Sequence, residues 1–342
     1  MPLLTPDLPG TGGSVRLSEE DFRVEELPLY EPSGTGEHLY LTVEKKGRTT
    51  PEVAREIARA LGAREREVGT AGLKDKRAVT VQRISVLSRA SEREALQLSG
   101  SGFRVLEAKR HQNKLRPGHL RGNRFRIAVR GCLSDAAARA QPICAALRAQ
   151  GAPNLFGPQR FGQRGDNAAL GRAILLREAA PRDRFLRRMA LSALQSELFN
   201  RCLAARMRDG LLATAISGDV LKKRATGGLF VCEDPAADAP RVVSGELDPA
   251  GPLPGHSIFA ARGEALAREE AVLAAAEIDG RSFAAGGAEM EGARRPYRLP
   301  VDELAVEETA DALVLTFTMP KGSYAHALLR EIIKSDAPDP EA

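Results

Sequence analysis

Apolar positions in the first third of the chain recur mostly at period two. Phe22–Leu27 alternates as a strand does, and Glu37–Lys45 alternates again before the turn residue Gly47. A helix is predicted next, with Thr50 as N-cap, Pro51 at the first helical position and Glu52 in the first turn. Val53, Ile57, Ala60 and Leu61 supply its apolar stripe, and Gly62 ends it. Val68–Leu73 is small and extended. After a short polar turn, Ala78, Thr80, Gln82, Ile84 and Val86 alternate with Val79, Val81, Arg83 and Ser85.

Phe125–Arg130 reads as a strand and Ser134–Gln150 as a helix, with a kink or break expected at Pro142. From Gly157 the character changes. Asp183–Gly210 has the three-four apolar spacing of a long helix, and Ala284–Ala288 reads as a flexible small-residue loop. Ala312–Met319 is a strong strand, Pro320 and Gly322 form a turn, and Tyr324–Lys334 is a helix. A lone strand and helix cannot build a core, so they are expected to rejoin the first domain. Strands and helices mingle without strict alternation, which favours an α+β fold over a doubly wound one. Residues 1–14 read as an irregular entry segment, and the acidic tail Asp336–Glu341 as frayed.

Composition adds constraints. With 342 residues the chain can carry two cored domains, and its formal net charge is +5. Residues 101–130 concentrate nine basic side chains against the single acid Glu107. That clustering suits either a phosphate-backbone binder or a solvated loop. Cys132, Cys144, Cys202 and Cys232 form no CxxC pair, and the five histidines no HExxH, so neither a zinc site nor metal catalysis is expected. No charged leader precedes an apolar run, and no stretch approaches the ~18 apolar residues of a membrane span. The expectation is a soluble cytoplasmic protein with reduced thiols.

Asp75 stands out in Ala71–Gln82, a single carboxylate in a basic turn between apolar runs. Lys74, Lys76 and Arg77 are expected to favour its ionised form, and an ionised carboxylate on a strand end can serve as nucleophile or base. On these residues alone a solvated Lys-Asp-Lys turn is the simpler account. Gly151–Asn167 is dense in glycine, amide and arginine, and Arg160 and Arg164 could fork onto phosphates. An interdomain loop explains it as well, since no P-loop ending is present. Asn123 and Phe125 sit among Arg121, Arg124 and Arg126, a setting for stacking on an unpaired base or for an ordinary core Phe. Ser192, Gln195 and Asn200 read as structural polar contacts within the long helix.

Together these residues resemble the tRNA pseudouridine synthase D (TruD) family. The matching pieces run in the family's order: Phe22–Glu26, His38–Lys45, Ala71–Gln82, Arg121–Phe125, Pro153–Gly165, Ser192–Asn200, Gly218-Asp219 and Lys321–Ala325. The resemblance implies a pseudouridine synthase-like mixed sheet with flanking helices, formed by residues 1–156 and 295–342. An α+β domain, residues 157–294, is inserted into it. It implies isomerisation of a uridine in tRNA, typically at position thirteen, without cofactor and with tRNA as the partner; a monomer is expected, although the sequence does not reveal whether the enzyme dimerises. Asp75 falls on the family's catalytic aspartate, Phe125 on an aromatic that packs against the target base, and Asn123 in the same motif. Arg330 on the last helix is placed where related synthases carry a basic partner for the aspartate. Lys74, Lys76, Arg160 and Arg164 complete the expected RNA contacts. Leu155 and His326 depart from the pattern, standing where an aromatic and a small hydroxyl residue are expected. Two other functions fit parts of the sequence: a non-catalytic RNA-binding protein using the same basic groove, and a metal-dependent nuclease. The second needs converging carboxylates, and no acid lies between Glu67 and Glu92 except Asp75.

Overall fold

The computed structural model describes residues 1–15, 17–162 and 164–334. The acidic tail Asp336–Glu341 lies outside them. The chain divides into two compact units. One comprises Thr11–Gln141 and Val301–Ser323, the other Met1–Gly10, Pro142–Pro300 and the chain from Tyr324.

The first of these is built on a ten-stranded mixed sheet. Its strands are β1 (Gly12–Ser14), β2 (Phe22–Pro28), β3 (His38–Lys46), β4 (Val68–Thr70), β5 (Val79–Leu87), β6 (Ser99–Gly100), β7 (Phe103–His111) and β8 (Leu120–Cys132). The hairpin Asp302–Glu308/Ala312–Pro320 completes it. From one edge the order is Asp302–Glu308, Ala312–Pro320, β8, β2, β5, β3, β7, β6, with β1 against the end of β8 and β4 against that of β5. Among the described residues only β2 and β5 pair in parallel. A parallel pair needs a crossover, and β3, α1 (Thr50–Ala60) and β4 supply it. The strand Ala312–Pro320, read as Ala312–Met319 from the sequence, joins β8 along nine paired positions.

The period-two sets share faces. Leu39, Leu41 and Val43 of β3, Ile84 and Val86 of β5, and Phe103 and Val105 of β7 are buried with Val53 and Ile57 of α1. The helix differs in detail from its prediction. Thr49 is the N-cap: its hydroxyl accepts from the Glu52 amide and the Glu52 carboxylate accepts from the Thr49 amide, a reciprocal capping box. Thr50 is already helical, and its hydroxyl is released for another task. Ala58 rather than Ala60 is buried. Replacing Ile84, fully buried in this core, by Ala should cost roughly 2–5 kcal/mol, read from the urea midpoint. A change under ~1 kcal/mol would mean that the strand packs differently.

The other unit holds a four-stranded antiparallel sheet in the order Leu229–Val231, Val220–Lys223, Leu247–Leu253, Ala293–Pro296. The long helix Arg184–Arg208 packs against Asn167–Leu175, where Gly171 lies so close to the Ala190 carbonyl that a side chain there would collide. Ala136–Gln150 runs through Pro142 as one helix, without the expected break. The stretch expected to be a flexible loop at Ala284–Ala288 is wound into 3₁₀ turns over Gly280–Met290, with Phe283 and Met290 buried against the long helix. The predicted insertion, 157–294, lies wholly inside this unit. The final helix Ala325–Ile333 also belongs to it, although the strand before it belongs to the large sheet. Two of its residues tie down the irregular entry segment: Glu331 accepts from the Leu4 and Thr5 amides, and Arg330 donates to the Pro2 and Met1 carbonyls. All four cysteines are free thiols. Burial pushes Cys144 up to about 11 and Cys202 and Cys232 up to about 12.

Candidate active site

The turn carrying Asp75 links β4 to β5, and its backbone is held at several points. Gly118, at a φ of +85° that suits glycine, donates its amide to the Ala71 carbonyl at 2.7 Å. The Thr50 hydroxyl accepts from the Lys74 amide at 3.0 Å and donates to Gln82 Oε1 at 2.8 Å. Lys45 reaches the turn from the buried face of β3. It is only 1% exposed, yet its ammonium donates to the Asp75 and Arg48 carbonyls at 2.8 Å and to the Lys74 carbonyl at 3.4 Å. An ammonium has three protons to place, and three carbonyls receive them.

Burial lowers Lys45 to about 8, opposed by the negative charges of Asp75 and Glu52 and aided by the positive charge of Lys74. The site therefore holds a lysine near its point of deprotonation beneath an exposed aspartate. Asp75 itself lies on the outer side of the turn.

Lys74 does something other than expected. Its ammonium points into the sheet, 3.0 Å from a Glu26 carboxylate oxygen and 2.8 Å from Asn123 Oδ1. The two charged side chains are 7% and 1% exposed, so this lysine is a strut and not a phosphate contact. A buried pair of this kind returns little net stability but fixes geometry, because losing either partner strands a charge. Glu26 and Asn123 are direct neighbours across β2 and β8. Lys76 and Arg77 remain on the exposed side of the turn.

Two residues along β8 from Asn123 lies Phe125, on the same face. It is 6% exposed, with Phe317 stacked on it at 5.0 Å between centroids and Phe22 edge-on at 6.3 Å. Phe317 sits directly opposite in the antiparallel register. One lateral row of the sheet thus reads Phe317, Phe125, Val24, Thr80, Lys45, Phe103. The structure brings Asp75, Lys74, Asn123 and Phe125 into this one unit. It adds Lys45, Thr50, Glu26 and Phe317, none of which the sequence had marked as a site residue.

The basic stretch 101–130 is less charged in space than in sequence. Arg104 pairs with Glu44, Lys109 with Glu107, Arg124 with Glu25 and Glu303, and Arg130 with Asp21 and Asp311. Most of these acids arrive from other strands or from turns, which local counting cannot see. Arg116, Arg121 and Arg126 stay exposed.

Arg160, Arg164 and Arg330 belong to the other unit. Arg160 donates to the Ser192 and Ser196 hydroxyls and lies 5.5 Å from the Phe156 ring centroid. Asn200 clasps the Phe156 backbone by both its amide and carbonyl, and Gln195 donates to the Pro254 carbonyl. Ser192, Gln195 and Asn200 thus make polar contacts within the protein, as read from the helix. Arg164 is exposed on the same glycine-rich loop.

The arrangement matches known proteins along its whole length. The family model for tRNA pseudouridine synthase D (TruD) matches residues 1–182 and 180–332. A protein of Anaeromyxobacter sp. (strain Fw109-5) named tRNA pseudouridine synthase D is 58% identical over 347 residues, covering 100% of this chain and 98% of its own. One from Thermus thermophilus with the same name is 45% identical over 338 residues, covering 99% and 93%. The crystal structure of a Methanosarcina mazei protein described as a putative tRNA pseudouridine synthase D (TruD) superposes with a TM-score of 0.83 at 25% identity. It covers 98% of this chain and 96% of that one. The chain belongs to the tRNA pseudouridine synthase D (TruD) family.

Proposed function

We propose that this tRNA pseudouridine synthase converts the uridine at position thirteen of its tRNA into pseudouridine, with the Asp75 carboxylate as nucleophile or base. The observation that carries the reading is the tethering of the Asp75 turn. Lys45, Thr50 and Gly118 hold its backbone while the side chain stays on the exposed side. Placing a reactive group in one geometry supplies much of an enzyme's rate.

The isomerisation breaks the bond from N1 to C1′ and forms one from C5 to C1′; the C5 proton leaves to water and N1 takes one up. No atom is gained and no electron is transferred, so one carboxylate can serve. It adds covalently to the sugar or the base, or removes a sugar proton to give a glycal. The target uridine must leave its stack, at a cost of a few kcal/mol. Asn123 and Phe125 are assigned to the extruded base. Lys76 of the large-sheet unit, and Arg160, Arg164 and Arg330 of the other, are assigned to RNA. Lys74 supports the turn from within. Residues 157–294 are the family's insertion, and the protein acts in the cytoplasm. No helix among the described residues is long and apolar enough to cross a membrane.

The test is position mapping. An unmodified tRNA transcript treated with the protein should acquire one pseudouridine, at position thirteen, found by carbodiimide labelling and primer extension. Modification at another position would overturn the assigned target, and unmodified RNA the assigned reaction.

A further inference from the structure

Buried arginines of the smaller-sheet unit are matched to acids. Arg206 pairs with Asp219, Arg294 with Glu269, and Arg298 with Asp248. The half-buried Arg160 and Arg295 depart from this pattern. Both guanidiniums flank the Phe156 ring, at 4.1 Å for Arg295 and 5.5 Å for Arg160. Arg295 donates to the Asn154 carbonyl and to its side-chain oxygen, while Arg160 donates to two serine hydroxyls. Every one of these partners is neutral. Burial lowers Arg295 to about 10, and the like charge of Arg160 adds to the effect.

Two cations against one ring, partly withdrawn from water, repel each other at a cost that the neutral acceptors do not cancel. An anion between them would. Both arginines and Phe156 remain partly open to solvent, so a ligand can reach them. Each guanidinium also keeps a nitrogen, Nη1, that is not used in the contacts above. The exposed Tyr324 acts on the Arg295 charge. Cations forking onto an acceptor beside an aromatic suit one nucleotide better than a bare ion.

We propose that Arg160 and Arg295, mounted on Phe156, grip a single phosphodiester of the RNA substrate. This rests on the tRNA reading above, which had marked Arg160 but not Arg295, Phe156 or their shared geometry. Loss of one phosphate contact weakens binding and lowers the slope of log affinity against log salt by about one.

The experiment measures tRNA affinity by fluorescence anisotropy across a salt series, with single-turnover modification at saturating tRNA, for the full chain. Arg295→Gln and Arg160→Gln should each raise Kd about tenfold and reduce the salt slope by about one, with the saturated rate within about threefold of the parent. Arg295→Lys keeps the charge but not the fork, so it should retain the slope and lose part of the affinity. If Arg295→Gln lowers the melting temperature sharply, Arg160→Gln decides, since the Ser196 hydroxyl keeps its own bond to the Ser192 carbonyl when the guanidinium is lost. Unchanged Kd and slope in folded Arg160→Gln would overturn the clamp. A parent protein that modifies no tRNA would instead overturn the underlying reading.

Discussion

Asp75→Asn should abolish pseudouridine formation while leaving the fold and tRNA binding in place. The amide has nearly the shape of the carboxylate, and the tethers of the turn engage the backbone of residues 71, 74 and 75. As an exposed position, it should change stability by no more than ~0.5 kcal/mol. Removing the central reactive group of a catalytic unit costs on the order of 10⁴-fold or more in rate. Loss of a negative charge facing a polyanion should tighten binding slightly, if anything. The check is nucleoside analysis of digested tRNA after single turnover, with affinity measured on the same samples. A variant that retains a tenth of the parent rate would remove Asp75 from the chemistry.

The second large effect is expected at Lys45. Lys45→Met keeps the stem and deletes the ammonium, so the Asp75, Lys74 and Arg48 carbonyls lose a shared donor. A displacement of about an ångström in a reacting group can cost ~10²-fold, so the saturated rate should fall about 10- to 100-fold with tRNA affinity nearly unchanged. The pH dependence follows from the depressed pKa. Below about 8 Lys45 is charged in the folded protein and donates to all three carbonyls. As pH rises through that value the proton leaves, and the parent rate should decline along an alkaline limb. Lys45→Met should lack this limb. Stability moves in the opposite sense. Between the folded value and the ordinary lysine range of about 10.4 the unfolded chain binds more protons, so this residue's contribution to stability rises with pH over that window. An alkaline limb that survives in the Met variant would assign it to another group.

Much of the fold was legible because strand alternation is a local property. The sets Leu39–Val43 and Ala78–Val86 announce their buried face without knowledge of the partner strands. Placement of the cap was harder, since Thr49 and Thr50 are chemically identical. What distinguishes them is the tertiary contact from Thr50 to Gln82 and Lys74. Lys45 was hidden for a related reason. A lysine at the end of an alternating strand reads as a solvated terminus, and only the cross-sheet register places it under the Asp75 turn. Lys74 was misread because its acid, Glu26, lies far away in sequence. The density of arginine in residues 101–130 overstated the free charge for the same reason. Phe317 could have been found by pairing the strong strand Ala312–Met319 with Phe125–Arg130, had the register been known. The last helix groups with the N-terminal segment and not with the strand beside it in sequence, because its Arg330 and Glu331 find their partners there.

The most direct measurement is release of tritium from a tRNA labelled at uridine C5 and incubated with the full chain in EDTA. Rearrangement at C5 requires label to appear in water in step with new pseudouridine, with the RNA left at full length. Label retained on tRNA that the protein demonstrably binds would contradict an isomerase at Asp75, as would release that accompanies strand cleavage.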